Sequence, residues 1–212
     1  MPARHAIYFA PARDSRLWRR AQEWLGQPDL APLTVSARRY GFHATLKAPM
    51  TLAGDLAQLQ AALAAFAAGH AAVTLDGLAP RLLDGFLALT VEPQPAALTD
   101  LAADIVTAFE AFREPLGEAE RARRLEAPLT PRQVELVDRY GYPYVLEQFL
   151  FHMTLTDRLP EDRREAMRQR AVDWFAAALA EPVPLDRLVV FAEPEPGAGF
   201  VRRDPDYPLK GQ

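Results

Sequence analysis

Two pentapeptides carry the chemistry that can be read from this chain: Phe42-His43-Ala44-Thr45-Leu46 and, 109 residues further on, Phe151-His152-Met153-Thr154-Leu155. On a β-strand, successive side chains point to opposite faces, so each histidine shares a face with its threonine, about 7 Å along the strand, while the apolar residues between them face a core. Opening a phosphodiester needs a base to take a proton from the attacking water or hydroxyl and an acid to protonate the leaving alkoxide. Imidazole suits both tasks, because its pKa of about 6.5 lies near working pH. His43 and His152 are therefore the candidate catalytic pair, and Thr45 and Thr154 the candidate ligands of the non-bridging oxygens. Lys47 continues the polar face of the first copy, where Thr156 takes the matching place in the second. It is one of only two lysines among 24 basic residues, which makes it a candidate phosphate contact. Tyr144, with Tyr140 in the aromatic turn at 140–144, is a candidate for lining the cleft and stacking on a base or ribose.

Plainer readings compete at each position. A lone histidine is ordinarily a satisfied structural residue, threonine is a good strand former, and aromatic turns pack against cores. The recurrence of the whole pentapeptide sets His43 and His152 apart from His5, which alternates with Ile7 and Phe9 on a first strand, and from His70 at a helix end; neither of these is given a catalytic role. A metal site is not expected, since cysteine is absent and neither repeated histidine has a histidine or carboxylate at helical ligand spacing. No cofactor is expected. The arginine groups at 121–124 and 163–170 are interspersed with acids and read as solvated faces.

The elements around the two pentapeptides repeat as well. Tyr40 corresponds to Phe149, each copy is followed by an amphipathic helix, and each helix leads into a β-rich stretch, at Val73-Thr74-Leu75 and from Pro184 onward. Such repetition of one supersecondary unit marks a duplicated, two-lobed architecture. In detail, strands are predicted at 4–9, 40–47, 73–83, 85–91, 149–156 and 185–191, with an irregular edge strand near 200–203. The turn Asp84-Gly85 signals a hairpin. Helices are predicted after the cap Ser15, at 55–70, 99–112 and 161–179, and from Thr130-Pro131 through Val137. Residues 27–34 read as a loop. The charged, proline-bounded stretch 113–130 is a surface connection or short helix, and the approximate change of lobe within a single bilobal domain spanning 1–212.

The composition is that of an ordinary globular protein, with 50% hydrophobic and 25% charged residues over 212 positions and a net charge of −4. Without cysteine, disulfides, thiolate nucleophiles and iron–sulfur clusters are excluded. No run of about 18 apolar residues is present, and the opening stretch lacks the apolar segment of a signal peptide, so a cytoplasmic protein with no membrane partner is expected. The acidic balance argues against sequence-independent binding of long nucleic acid. No signature of oligomerisation stands out.

Paired His-x-Thr strands in a duplicated chain resemble the two-histidine phosphoesterase superfamily, which includes cyclic nucleotide phosphodiesterases and RNA-ligase-like enzymes. The stretches RHAIYFAP, WLG at Trp24 to Gly26, RRYGFHATLKAP, FHMTLT and FAEPEPG extend the likeness over nearly the whole chain, to a bacterial branch associated with phosphonate metabolism. The resemblance implies an α+β fold of duplicated bilobal form, with two antiparallel-rich sheets around a central cleft and helices outside. It implies His43 and His152 as the catalytic pair, Thr45 and Thr154 as phosphate ligands, and metal-independent hydrolysis of a cyclic or linear phosphodiester of a small nucleotide or ribosyl phosphate. The alternatives are RNA-end ligation, with a short RNA as partner, and a non-catalytic module that binds a phosphorylated metabolite.

Overall fold

The computed structural model describes residues 3–211. Its first strand, β1 (Arg4–Phe9), shows how the sequence divides the molecule into two sides: Ile7 and Phe9 enter the main core, whereas Ala6, Tyr8 and Ala10 belong to a smaller cluster on the opposite face. Ser15 then caps α1 (Arg16–Gly26), its hydroxyl accepting from the Trp18 amide at 3.1 Å. The helix buries Leu17, Ala21, Trp24 and Leu25, and the Trp24 indole donates to the Leu155 carbonyl at 2.9 Å, fastening α1 to the second pentapeptide. Residues expected as loop form a 3-10 turn (Pro28–Leu33), followed by a short helix that was not foreseen, α2 (Val35–Tyr40).

The remaining elements are β2 (Ala44–Met50), α3 (Leu56–Gly69), β3 (Val73–Leu75), β4 (Ala79–Leu83), β5 (Phe86–Thr90), α4 (Ala96–Ala108), α5 (Glu118–Arg124), α6 (Pro131–Tyr140), β6 (Met153–Thr154), α7 (Arg164–Phe175), β7 (Val183–Leu185), β8 (Arg187–Glu193) and β9 (Val201–Pro208). Asp55 caps α3, and Thr130 with Gln133 forms a full capping box on α6. Asp84 and Gly85 both take positive φ, 46° and 86°, as the tight hairpin between β4 and β5 requires.

Seven strands form one antiparallel sheet in the order β4-β5-β6-β2-β1-β8-β9, and β3 pairs with β7 in a second. This is an α+β fold with antiparallel sheets, as predicted. The hairpins are exchanged between the two copies of the repeat. The β4-β5 pair, which follows the first pentapeptide, hydrogen-bonds to β6 of the second, while β8, which follows the second, pairs with β1 beside the first. The halves meet along β2 and β6. Helices α1, α3, α4 and α7 supply the core against one face of the sheet, leaving the other face around Tyr8, Phe191 and Phe200 for a cleft. Among the described residues no helix is long and apolar enough to cross a membrane.

Several boundaries differ from the sequence expectation for local physical reasons. The strand expected over 40–47 begins at Ala44, because Tyr40 ends α2 and Gly41 turns the chain at φ 72°. The stretch 73–83 breaks at Asp76-Gly77, with Gly77 at φ 70°, sending its two ends to different sheets. The strand expected over 149–156 is reduced to Met153–Thr154. The Thr156 hydroxyl accepts the Leu87 amide at 3.0 Å, and the amides of Leu155 and Thr156 both converge on the Leu87 carbonyl, so the regular ladder stops there.

Candidate active site

Strands β2 and β6 bring the two pentapeptides together. Ala44 stands opposite Met153, and this antiparallel register, carried one residue to either side, sets His43 across from Thr154 and Thr45 across from His152. The four polar side chains then occupy the corners of a square patch on the cleft face, with the histidines on one diagonal and the threonines on the other. Diagonal neighbours on an antiparallel pair lie about 7–8 Å apart, enough for a phosphate to sit between the imidazoles. All four residues line a cleft of about 500 Å³.

The backbone fixes the tautomer of both rings in the same way. His43 Nδ1 lies 2.9 Å from the carbonyl of Gly41, and His152 Nδ1 lies 2.9 Å from the carbonyl of Leu150, two residues upstream in each case. A carbonyl only accepts, so Nδ1 carries the hydrogen in each ring and Nε2 is left for proton exchange with a ligand. The two environments differ beyond that. His43 stacks on the buried ring of Tyr8, with centroids 3.7 Å apart and planes 17° apart, and its Nε2 is 3.2 Å from the Thr45 hydroxyl. Burial, with a smaller contribution from nearby His152, lowers its pKa to about 4 against the opposing pull of the Gly41 carbonyl. Burial likewise raises the Tyr8 hydroxyl, which stays a neutral phenol. His152 meets only the edge of Phe86, at 6.0 Å and 65°.

The structure does not bring Lys47 or Tyr144 to this patch. Between Thr45 and Lys47 the register slips: Thr45 faces Tyr8 and Lys47 faces Ile7, so two steps on β2 match one on β1. Such a bulge breaks the alternation and turns Lys47 off the patch, toward α4 and the wall of a neighbouring pocket. There its ammonium, 4% exposed, donates to the Val106 carbonyl at 3.1 Å and to Glu110 at 2.9 Å. Tyr144 is 48% exposed and lies outside the cleft. Tyr142, two residues earlier, lines it instead, packed edge-on against Tyr144 at 5.5 Å. Burial raises the Tyr142 hydroxyl to about 12. His5 is not among the residues lining the cleft.

The arginines are the residues that sequence reasoning missed. Arg4, Arg39, Arg123 and Arg124 line the cleft: residues 121–123 are exposed, as a solvated face would be, but Arg123 and the half-buried Arg124 also border the cleft, while Arg121 pairs with Asp138 at 2.6 Å. Arg4 and Arg39 are set by Glu193, a carboxylate 1% exposed at the end of β8. Burial alone would raise Glu193, but hydrogen bonds from Arg39, Arg4 and the Gly197 amide outweigh it and hold the pKa below its ordinary value. The alternation Arg4-Ala6-Tyr8-Ala10 was a usable signal for a ligand-facing side of β1. Among the described residues, no group of three or more His, Cys, Asp or Glu is arranged to hold a metal ion.

The model of the family described as "Protein of unknown function (DUF1045)" matches residues 45–201, a span that takes in Thr45, His152, Thr154 and Glu193. The chain belongs to the DUF1045 family. Two curated proteins named ribose 1,5-bisphosphate phosphokinase PhnN are similar to it. That of Janthinobacterium sp. (strain Marseille) is 40% identical over 99% of this chain and 51% of its own length, and that of Laribacter hongkongensis (strain HLHK9) is 36% identical over 93% of this chain and 50% of its own. The DUF1045 chain thus spans about half the length of the curated relatives it matches. Among solved structures, E. coli LigT in its apo form superposes with a TM-score of 0.50 at 15% identity, covering 100% of this chain and 99% of that one. At that identity the likeness is one of fold, and the fold expected from the paired His-x-Thr strands is the one found.

Proposed function

We propose that this protein is a phosphodiesterase that opens a cyclic or linear diester of a small ribosyl phosphate, with His43 as base and His152 as acid. The observation that carries the reading is the square patch of two imidazoles and two hydroxyls on the floor of the cleft. A phosphorus seated at its centre has one imidazole on each side, as in-line displacement demands, and one hydroxyl on each flank for its non-bridging oxygens. The depressed pKa of His43 leaves its Nε2 unprotonated at neutral pH, ready to take the proton of the attacking water. His152 on the opposite side carries the proton that the leaving alkoxide receives as its P–O bond breaks. The products are a phosphomonoester and a free hydroxyl, and the proton taken by His43 returns to solvent while His152 is reprotonated. All proton transfers and phosphate contacts are assigned to side chains, so turnover is expected to persist in the presence of a chelator.

The name of the curated relatives, which refers to ribose 1,5-bisphosphate, supports a ribosyl phosphate as the substrate class, and a place in phosphonate metabolism rests on the resemblance of the sequence motifs. The test is a panel of cyclic and linear diesters, including ribose 1,2-cyclic phosphate and 2′,3′-cyclic nucleotides, assayed with and without chelator. His43→Ala and His152→Ala should each lower kcat/KM by at least about a hundredfold with unchanged circular dichroism. Folded single variants that keep full activity would remove the basis of the assignment, and activity abolished by chelator would overturn the side-chain mechanism.

A further inference from the structure

The charge of the cleft runs opposite to the charge of the protein. The chain carries −4, yet the charged side chains lining the cleft, among the described residues, are Arg4, Arg39, Arg123 and Arg124. Of their carboxylate partners, Glu193 is buried, 1% exposed, and Glu120 shares the wall of the adjoining pocket. Glu193 takes Arg4 at 2.7 Å and Arg39 at 2.8 Å, and Glu120 takes Arg124 at 3.1 Å and Arg123 at 3.5 Å. Two carboxylates against four guanidiniums leave two positive charges uncompensated within the cluster. Each guanidinium offers five N–H donors in a planar fork, so donors remain after these bonds. Arg124 Nε, moreover, is buried with no hydrogen-bond partner, a condition that an arriving acceptor would relieve.

A diester carries one negative charge, and the square patch already meets it. The four arginines also line a side pocket of about 320 Å³ that adjoins the cleft, so they mark where a second group of a bound substrate would lie. The other charged groups of that pocket are Lys47 and Arg113, both held by Glu110 at 2.9 and 2.6 Å, and Glu114, so that six cations face the four carboxylates Glu110, Glu114, Glu120 and Glu193 and the excess stays at two positive charges. We propose that Arg4, Arg39, Arg123 and Arg124 form a second anion subsite for a phosphomonoester, so that the substrate is a sugar phosphodiester bearing a monoester phosphate elsewhere on the same molecule. A monoester brings a charge of nearly −2 and three acceptor oxygens, which matches both the charge excess and the forked donors. The proposal rests on the phosphodiesterase reading of the histidine pair.

The test compares ribose 1,2-cyclic phosphate with its 5-phosphorylated form, in the unaltered protein and in Arg39→Gln/Arg124→Gln. The 5-phosphate should raise kcat/KM of the unaltered protein by at least about tenfold, as charge-assisted hydrogen bonds allow. In the double variant that ratio should fall below about threefold, and in the unaltered protein it should shrink as salt is raised. A ratio near one in the unaltered protein, or a ratio undiminished in the variant, overturns the subsite. If neither compound is turned over, the phosphodiesterase reading fails on its own, and calorimetric affinities for the same pair then decide the subsite. The 5-phosphorylated form must still bind at least about tenfold more tightly and lose that advantage in the variant; equal affinities overturn the proposal. Circular dichroism checks the fold, and the single variants carry the same ratio test should the double one not fold.

Discussion

Replacing His43 by glutamine separates the two consequences of holding an imidazole neutral in the cleft, one for stability and one for turnover. The ordinary value of 6.5 drops to about 4 in the folded protein because burial penalises the charged ring. Above pH 6.5 both folded and unfolded chains keep His43 neutral, and its effect on stability is constant. Between pH 6.5 and about 4 the unfolded chain binds a proton that the folded protein refuses, so stability falls as pH falls through this window. At about 1.4 kcal/mol for each pH unit, the full drop is worth about 3 kcal/mol. The ring is only partly buried at the open cleft, and solvent screening reduces the expected effect to about 2 kcal/mol. Urea unfolding of the unaltered protein and of His43→Gln at pH 7.5 and 4.5 reads this directly, because carboxylate titration is common to both and cancels. The advantage of the unaltered protein over the variant should be about 2 kcal/mol smaller at the lower pH. In the same protein, the acid limb of kcat/KM should lie near pH 4, far below the ordinary histidine value. A stability difference independent of pH, together with an acid limb near 6.5, would show that burial does not hold the His43 imidazole neutral below its ordinary value, and would refute the depressed pKa on which the unequal roles of the two histidines rest.

Two further perturbations test the scaffold around the patch. Glu193→Gln removes the buried charge that Arg4, Arg39 and the Gly197 amide share, and should lower the unfolding free energy by about 2–4 kcal/mol at neutral pH, an effect read by guanidinium denaturation. Lys47→Met removes an ammonium that the Val106 carbonyl accepts. Glu110 keeps Arg113 at 2.6 Å, so the cost should be about 1–2 kcal/mol of stability, with kcat/KM changed less than about threefold in a steady-state assay. A hundredfold loss would place Lys47 back at the substrate.

What could be read from the sequence was what local rules decide. Ser15, Asp55 and the Thr130–Gln133 box each satisfy the first amides of a helix with their own side chains, so α1, α3 and α6 start where the caps stand. Asp84-Gly85 gave its hairpin because two consecutive positive φ angles suit few other residues. The histidines and threonines were legible because strand alternation holds across the two positions that separate each pair. It fails one step later: the bulge that turns Lys47 to the opposite face depends on how β1 lies against β2, not on anything within YGFHATLK. Tyr144 and Tyr142 illustrate the same limit in a turn, where no period says which ring faces inward. Arg124 pairs with Glu120 at a helical spacing that reads as surface, and only the packing of α5 over the cleft makes it a wall.

The exchange of hairpins between the copies bears on how the two histidines acquire different tasks from one motif. If each copy had closed on itself, His43 and His152 would sit in equivalent pockets on separate sheets. Instead β6 is clamped between β5 and β2, and β2 between β6 and β1, so the two motifs share one surface but not one set of neighbours. His43 inherits the Tyr8 ring from β1, with Phe191 of β8 5.9 Å away, and His152 inherits only the edge of Phe86 from β5. Aromatic cover on one side disfavours the charged imidazole there and has no equivalent around its counterpart. Under the proposed mechanism, a duplicated sequence would yield a base and an acid through the unequal strands that flank its two copies, with Tyr8 and Phe86 as the residues through which the division of roles is set.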